Sequence, residues 1–472
     1  MAEQPQPPGY ILYVALCRLV NLLFDDPQTT MVVVALGASG LAAAAMYFLG
    51  RATFDRRTGI SGAMLLVSSP LFWFYGEIAL PHTVDAFLVI LCVWWLYEAF
   101  RGSAAALLGA AIALALAGGM RQQTPVFLSG LTLLAGFLFL RSRGWKRSGW
   151  GWSVVAGVTF AILCAAWLVP LIHLAGGMDR YRQISAAYLG RYDETTSLLQ
   201  GGGLWGLTRN LRKLGMYVLF GWGAGLLPLC VGSLAWLKRR TPIRWSKVVF
   251  LTAWVLPSLL FYAIIHMGQQ GLVFIFLPAL LLLSARGLVY LTEGKRDAIW
   301  MAALTVLVLL NASVFLFGPE YPLPGGVIRL LTQDTLRHND TYFSERVLAV
   351  REGFSPSHTV IVAANWRHVE WYLPDYALIR FTINPKWELE AGEPAQTREA
   401  EQTFTAESLR LEPDDAGDVI VVVFDDVLTQ FVTAPETARS ATLPSESRLH
   451  YFTLRAGERL VRESGTLRVV QP

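Results

Sequence analysis

Pro7-Pro8-Gly9-Tyr10-Ile11-Leu12-Tyr13-Val14-Ala15-Leu16 leads from a polar start into an apolar chain. Two prolines cannot sit inside a helix, but they rigidify the approach to one. The apolar run behind them is too short and interrupted to span a bilayer, so it is expected to lie along the interface. Beyond it begins the series that decides the fold: Val32–Leu49, Ile60–Tyr75, His82–Tyr97, Ala104–Leu116, Val126–Leu140, Trp152–Leu174, Met216–Leu237, Val248–His266, Leu272–Leu283 and Ile299–Phe317. Several of these about ten segments are shorter than the roughly 20 residues a span needs, so their ends are expected to run into polar flanks. Backbone groups in hydrocarbon must be satisfied within their own segment, so each is read as a helix. Of the 472 residues 54% are hydrophobic and only 16% charged, whereas a soluble domain carries roughly a quarter charged residues. The expected fold is an α-helical polytopic membrane protein.

The basic residues sort by loop. Arg51, Arg56 and Arg57; Arg101; Arg141, Arg143, Lys146 and Arg147; Lys238, Arg239, Arg240, Arg244 and Lys247; and Lys295 and Arg296 all fall on one side if the spans alternate. The positive-inside rule makes that side the cytoplasm of a cell membrane. The opposite, outer side then holds Pro7–Tyr10, the Glu77–Asp85 turn, Arg121-Gln122-Gln123, a long loop over Ala175–Arg212, His266–Gln270 and everything after Phe317.

The formal net charge is +4, with no basic block interleaved with aromatics, which argues against a nucleic-acid partner. Cys17, Cys92, Cys164 and Cys230 all lie in apolar stretches and form no metal-ligand spacing. No basic n-region followed by an apolar core and a small-residue cleavage site opens the sequence.

From about Gly318 the composition becomes that of a soluble domain, which divides the chain into a membrane domain, 1–317, and an α/β domain, 318–472. A helical pattern over Ser344–Glu352 precedes strands at Thr359–Ala363 and Ala377–Phe381. Asp418–Phe424 reads as a strand buried on both faces. Leu449–Leu454 and Thr466–Val470 are expected to pair as an antiparallel edge, and Glu390–Glu407 to be a surface loop or helix. Asp425-Asp426 reads as an ordinary strand-end acid pair, and Asn339-Asp340-Thr341 matches the glycosylation acceptor pattern.

Candidate chemistry gathers on the outer side. His82 and Asp85, three apart, share a helix face just below the turn that carries Glu77. An acid inside an apolar run marks a cavity or a charged partner, and the alternative is a solvated turn with Asp85 starting a helix. Arg121 runs against the positive-inside trend and offers a planar donor set for phosphate; the alternative is an arginine snorkelling to the interface. In His266-Met267-Gly268-Gln269-Gln270-Gly271 the glycines permit close backbone approach or positive φ, and the polar residues exceed what a helix hairpin needs. The long loop, with Asp179–Arg182, Arg191–Glu194 and Gly201–Trp205, has the length of a lid.

Gln4–Tyr13, Tyr75-Gly76-Glu77…Pro81-His82-Thr83-Val84-Asp85, Arg121-Gln122 and His266…Gln269, in this order and on one side, resemble the GT-C superfamily of membrane glycosyltransferases. That superfamily includes the protein mannosyltransferases and the aminoarabinose transferase of lipid A. The resemblance covers roughly residues 1–317, with an outward, extracytoplasmic C-terminal domain in general plan. It implies inverting transfer of a sugar from a polyprenyl-phosphate donor to an acceptor on a lipid, glycan or protein, with an outer-loop acid as base and basic groups on the departing phosphate. Mapped here, Glu77 and Asp85 are the candidate catalytic acids. Pro8, Tyr10, His82, Arg121, Gln122, His266 and Gln269 are the candidate substrate contacts, with Arg121 and His266 facing phosphate. No metal ligand is assigned, although a divalent metal is compatible with such chemistry. The resemblance also implies a first span ahead of the proline stretch, with the catalytic acid between them. Here the stretch follows Met1-Ala2-Glu3 directly, so the sequence is expected to start one span late; otherwise Glu77 or Asp85 supplies the base. A lipid-linked sugar transporter and a non-catalytic envelope scaffold are the alternatives.

Overall fold

The structure, a computed structural model, describes residues 9–239, 245–323, 328–381, 402–409, 411, 418–433, 438–463 and 466–471. The chain divides into two compact units, Met1–Asp334 and Thr335–Pro472. The segment 318–334 falls in the first unit; within it the Leu330 N–H donates to the Glu320 carbonyl, and the Glu320 N–H to the Asp334 carboxylate.

The first unit is a helical bundle. Its helices are α1 (Ile11–Phe24), α2 (Pro27–Thr53), α3 (Arg56–Ser68), α4 (Pro70–Gly76), α5 (His82–Phe100), α6 (Ala104–Met120), α7 (Gln123–Ser142), α8 (Arg147–Leu174), α9 (Met178–Thr195), α10 (Gly203–Trp222), α11 (Leu226–Arg239), α12 (Trp245–Ile264), α13 (Leu277–Leu291) and α14 (Asp297–Phe317). Among the described residues seven helical segments are long and apolar enough to cross a membrane, α10 and α11 counting as one, or eight if the bent pair α3–α4 is one span. The shorter apolar helices α6 and α13 complete the ten apolar segments read from the sequence, and α1 is the short run after the prolines. The protein is a multi-pass membrane protein.

Local chemistry sets the breaks. Asp26 and Asp55 cap α2 and α3, accepting the N–H groups of Thr29 and Thr58 at 2.7 and 2.8 Å. Between α3 and α4 the axis turns by 64° at Ser69-Pro70, because proline removes a helical donor and pushes the residue before it out of the helical region. Inside the bundle α2 buries Ala35, Ala38, Ala42 and Ala45 along one face, a small-residue stripe that lets neighbouring helices approach. By contrast α8 exposes Val154, Val158, Ile162 and Val169, an apolar surface of the kind a bilayer covers.

Contacts gather the basic loops at common helix ends. Arg57 pairs with Asp297, Arg286 with Asp55 at 3.0 Å, the Lys247 ammonium with the Thr53 carbonyl, and Arg143 with the Gly102 carbonyl at 2.8 Å. The segment read as a long loop, 175–212, is mostly helix: it contains α9 and the first half of α10. Interruption of the hydropathy by Arg and Gly residues hid that periodicity.

The second unit contains α15 (Gln333–Gly353, which starts just before the division), β1 (Thr359–Ala363), α16 (Trp366–Tyr372), β2 (Ala377–Arg380), β3 (Gln402–Phe404), β4 (Val419–Val423), β5 (Val432–Thr433), β6 (Arg439–Thr442), β7 (Arg448–Leu454), β8 (Arg459–Glu463) and β9 (Thr466–Val470). One sheet has the order β2-β1-β4-β7-β6, with β1 parallel to both β2 and β4. Its central strands are covered on both faces. Val360, Val362, Val421 and Val423 pack with Leu428 and Leu460 on one side, and Ile361, Ala363 and Val422 with Val350, Trp366 and Phe424 on the other. β7 and β9 do not pair as the sequence suggests: β7 joins β4 and β6, whereas β9 pairs with β8 and β5 in a second sheet, β3-β8-β9-β5. Alternation marks a strand without naming its neighbour. Of the stretch 390–407, residues 390–401 lie outside the described residues and 402–404 form β3.

Candidate functional site

The turn 77–81 delivers His82 and Asp85 into the first turn of α5, where both side chains are almost fully buried. An acid there complements the helix N-terminus. The Thr124 hydroxyl, from the start of α7, donates to Asp85 Oδ1 at 2.8 Å, and Arg121 Nη1 lies 3.7 Å from Oδ2. Arg121 follows α6 in extended conformation (φ −150°, ψ 111°), and its Nη1 is also 3.5 Å from His82 Nδ1. A guanidinium only donates, so Nδ1 is the acceptor and the imidazole proton sits on Nε2. That Nε2–H points at Gln269 Oε1, 2.9 Å away. His82 is thus fixed in one tautomer by a donor on one side and an acceptor on the other.

Gly271 explains how the 266–271 turn comes so close. A Cβ there would lie 2.6 Å from His82 Cγ and 2.9 Å from Tyr75 Cε1, so only glycine fits. The Tyr75 ring meets the imidazole edge-on, with centroids 4.7 Å apart. Around the guanidinium, Tyr10, Tyr188 and Tyr262 lie within electrostatic reach, and the Tyr262 hydroxyl hydrogen-bonds with it.

Of the residues expected from sequence, His82, Asp85, Arg121 and Gln269 therefore form one cluster, with Tyr10 beside it. Gln122 is adjacent but engaged elsewhere, accepting the Tyr181 hydroxyl of α9 at 2.7 Å. The His266 ring is stacked on Tyr192 (centroids 3.9 Å), with Nδ1 2.9 Å from the Thr196 hydroxyl. Glu77 stands apart on the exposed turn, accepting the Trp73 indole N–H at 2.7 Å. Pro8 lies outside the described residues.

Sequence reasoning passed over Thr124 and a face of α10. Asn210, fully buried, donates to the Thr196 carbonyl and accepts from the Met267 N–H, both at 3.1 Å, tying α10 to the loops on either side of it. Arg209, Lys213 and Tyr217, spaced by four, share one face of that helix. Arg209 and Lys213 adjoin each other, and Tyr217 lies within reach of both Arg209 and Tyr75. Among the described residues neither cation has a carboxylate partner; Arg209 donates only to Asn210 Oδ1 (3.1 Å) and the Met267 carbonyl (3.5 Å). The spacing of four was the available signal. Asp85 and Arg121 are a formally neutral pair, whereas Arg209 and Lys213 bring two positive charges that a bound anion would offset. Among the described residues no group of three or more His, Cys, Asp or Glu side chains is placed to hold a metal ion.

Residues 6–169 match the family model of dolichyl-phosphate-mannose-protein mannosyltransferases. The fold is similar to that of ArnT from Cupriavidus metallidurans bound to undecaprenyl phosphate, at a TM-score of 0.56 and 15% identity over 93% of this chain and 87% of that one. Apo ArnT from the same organism gives 0.54 and 12% identity over 94% and 88%. The chain has the GT-C fold. No curated protein matches it by sequence. Within this GT-C bundle the matched segment, from residue 6 to the end region of α8, contains Tyr10, Glu77, His82, Asp85, Arg121 and Thr124. Arg209, Lys213 and Gln269 lie beyond it, in the part that the fold comparison covers.

Proposed function

We propose that this protein is an inverting membrane glycosyltransferase that takes a sugar from a polyprenyl-phosphate donor. The acceptor is a hydroxyl or amine at the outer face of the plasma membrane. The observation that carries this reading is the Arg209–Lys213 pair, two adjoining cations with no carboxylate partner among the described residues, on a helix face linked through Tyr217 and Tyr75 to a charge-balanced cluster. The matched family model and the lipid phosphate bound by ArnT support a lipid-linked phosphate as the anion.

In this reading the acceptor atom attacks the anomeric carbon as the bond to the donor phosphate oxygen breaks, and the electron pair leaves with the polyprenyl phosphate. The phosphate gains a negative charge as it departs. Arg209 and Lys213 therefore bind the transition state more strongly than the ground state, which is the condition for catalysis. Arg121, already paired with Asp85, contributes less net charge and orients His82 and the sugar. Asp85 has one oxygen on Thr124 and the other facing Arg121, so its part is positioning. The acceptor's proton is assigned to Glu77, the solvent-exposed acid of the neighbouring turn, which stands apart from the cluster and is reached only by an acceptor that approaches from the solvent side. The positive-inside pattern supports placing the basic loops in the cytoplasm and the site, with the C-terminal unit, on the outer side.

The test is transfer of labelled sugar from a polyprenyl phosphate in proteoliposomes. Lys213→Ala and Arg209→Ala are each expected to lower turnover by about 10²–10³-fold. Wild-type turnover in both overturns the phosphate assignment. Label that crosses the bilayer without forming a glycosidic bond identifies a transporter instead.

A further inference from the structure

In the five-stranded sheet the chain leaves β1 through α16 to β2 on one side, while β4 lies on the other. Loops that depart in opposite directions from the carboxyl ends of neighbouring parallel strands open a crevice there, the place where open α/β sheets receive ligands. A cleft of about 500 Å³ lies at this end, lined by His338, Asp340, Tyr342, Phe343, Asn365 and His368. The transfer chemistry uses none of these residues.

The crevice floor is built with care. Asp425, just after β4 and fully buried, accepts the Ala364 and Asn365 N–H groups at 2.7 and 2.9 Å, the Asn365 side-chain amide at 2.6 Å and the Tyr342 hydroxyl at 3.3 Å. Asn365 itself is exposed, and among the described residues its amide oxygen has no hydrogen-bond partner. Arg346, also buried, holds Asp426 through two 2.7 Å bonds and the Phe424 carbonyl at 3.0 Å, locking the other lip. His368 lies flat on Phe343, with centroids 4.1 Å apart and planes within 4°. Burial holds the His368 imidazole below its ordinary pKa, against a smaller opposing pull from Asp425. The Asp340 carboxylate is exposed and has no partner among the described residues.

The chemistry selects the ligand class. Ala363-Ala364-Asn365-Trp366 offers no glycine for close approach to phosphate, and the acids in and beneath the cleft, Asp340 and Asp425, repel anions. A flat aromatic pair beside an amide oxygen and a carboxylate suits a neutral ring with an apolar face and a rim of hydroxyl donors. We propose that the cleft at the carboxyl ends of β1 and β4 is a saccharide-binding site. In it the outer face of His368, backed by the stacked Phe343, is the platform for a pyranose ring, and Asn365 and Asp340 accept its hydroxyls. The site stands independently of the transferase reading.

Saturation-transfer NMR on the full chain in nanodiscs tests it, with methyl α-mannopyranoside, methyl β-galactopyranoside and N-acetylglucosamine as probes and AMP as the anionic comparison. At least one sugar is expected to receive saturation on its ring protons. Its affinity should fall about tenfold in His368→Ala and in Asp340→Asn, the size of one lost contact of about 1.4 kcal/mol, with thermal unfolding unchanged. Lys213→Ala should leave this binding intact, which separates it from the membrane site. Saturation of none of the sugars, saturation indifferent to both cleft variants, or a preference for AMP each overturns the proposal.

Discussion

Arg121 and Arg346 both carry their guanidinium groups out of water, with side-chain exposures of 11% and 0%, and the chain holds them differently. Arg346 grips Asp426 with two 2.7 Å bonds, donates to the Phe424 carbonyl, and lies 3.7 Å from the Tyr342 ring centroid. Arg121 has one carboxylate oxygen at 3.7 Å, an imidazole nitrogen at 3.5 Å and tyrosine hydroxyls around it. A saturated buried cation is a fixture, because any movement strands its charge. A loosely held one keeps donors in reserve for something that arrives. The same residue type is thus an anchor in one unit and, in the function proposed above, a working group in the other.

The comparison breaks most visibly at the anchor. Arg346→Ala should destabilise the C-terminal unit by about 3–5 kcal/mol, since it leaves the Phe424 carbonyl unpaired and Asp426 without its cation. Differential proteolysis or the first calorimetric transition would show it, and a change below about 1 kcal/mol would mean that Arg346 is no anchor. For the working group the expectation is reversed. Arg121→Lys keeps the charge but loses the planar fork, so sugar transfer should fall by about 10²-fold while the unfolding temperature barely moves. A large loss of stability with unchanged turnover would make Arg121 a second Arg346.

This contrast also shows what a sequence exposes. Asp85 and Arg121 are visible because each breaks a trend, an acid inside an apolar run and a basic residue on the side poor in them. His266–Gln269 stands out as more polar than a hairpin requires. The ten apolar segments are legible because hydrocarbon demands continuous hydropathy. Thr124 breaks no trend, yet it holds Asp85. Arg209 sits in the stretch read as loop and Lys213 just past its end, where basic residues look solvated until the helix sets them on one face. Asp425 reads as an ordinary strand-end acid, and only the folded crevice brings it four donors. Residues that act through partners distant in sequence carry no local mark.

A smaller effect sharpens the picture of the membrane site. Gly271→Ala places a methyl group against His82 and Tyr75, so either the imidazole or the turn must shift. The strain is expected to be about 1–3 kcal/mol. If His82 is oriented by Arg121 and Gln269 as described, transfer should fall more than stability alone explains, and His82→Ala on top of Gly271→Ala should add little further loss. Additive losses would separate the glycine from the histidine.

The smallest effect returns to the neighbour of the anchor. His368 is packed on Phe343, and burial lowers its pKa while the nearby Asp425 opposes part of that shift. The unfolded chain, with an ordinary histidine near 6.5, then takes up a proton before the folded one does. The folded state is therefore favoured in full above about pH 6.5, and its advantage shrinks as the pH falls toward the folded-state value. His368→Gln should flatten this acid-side loss for the C-terminal unit and leave stability at pH 8 almost unchanged. The ring-proton titration of His368 should have its midpoint below 6.5 in the wild type. Phe343→Leu, which removes the stacked ring, should move that midpoint back toward the ordinary value. A midpoint at or above 6.5 would mean that the imidazole is solvated and the slab between Phe343 and His368 is open. In that case the rigid framework that Arg346 secures would stop short of the cleft it borders.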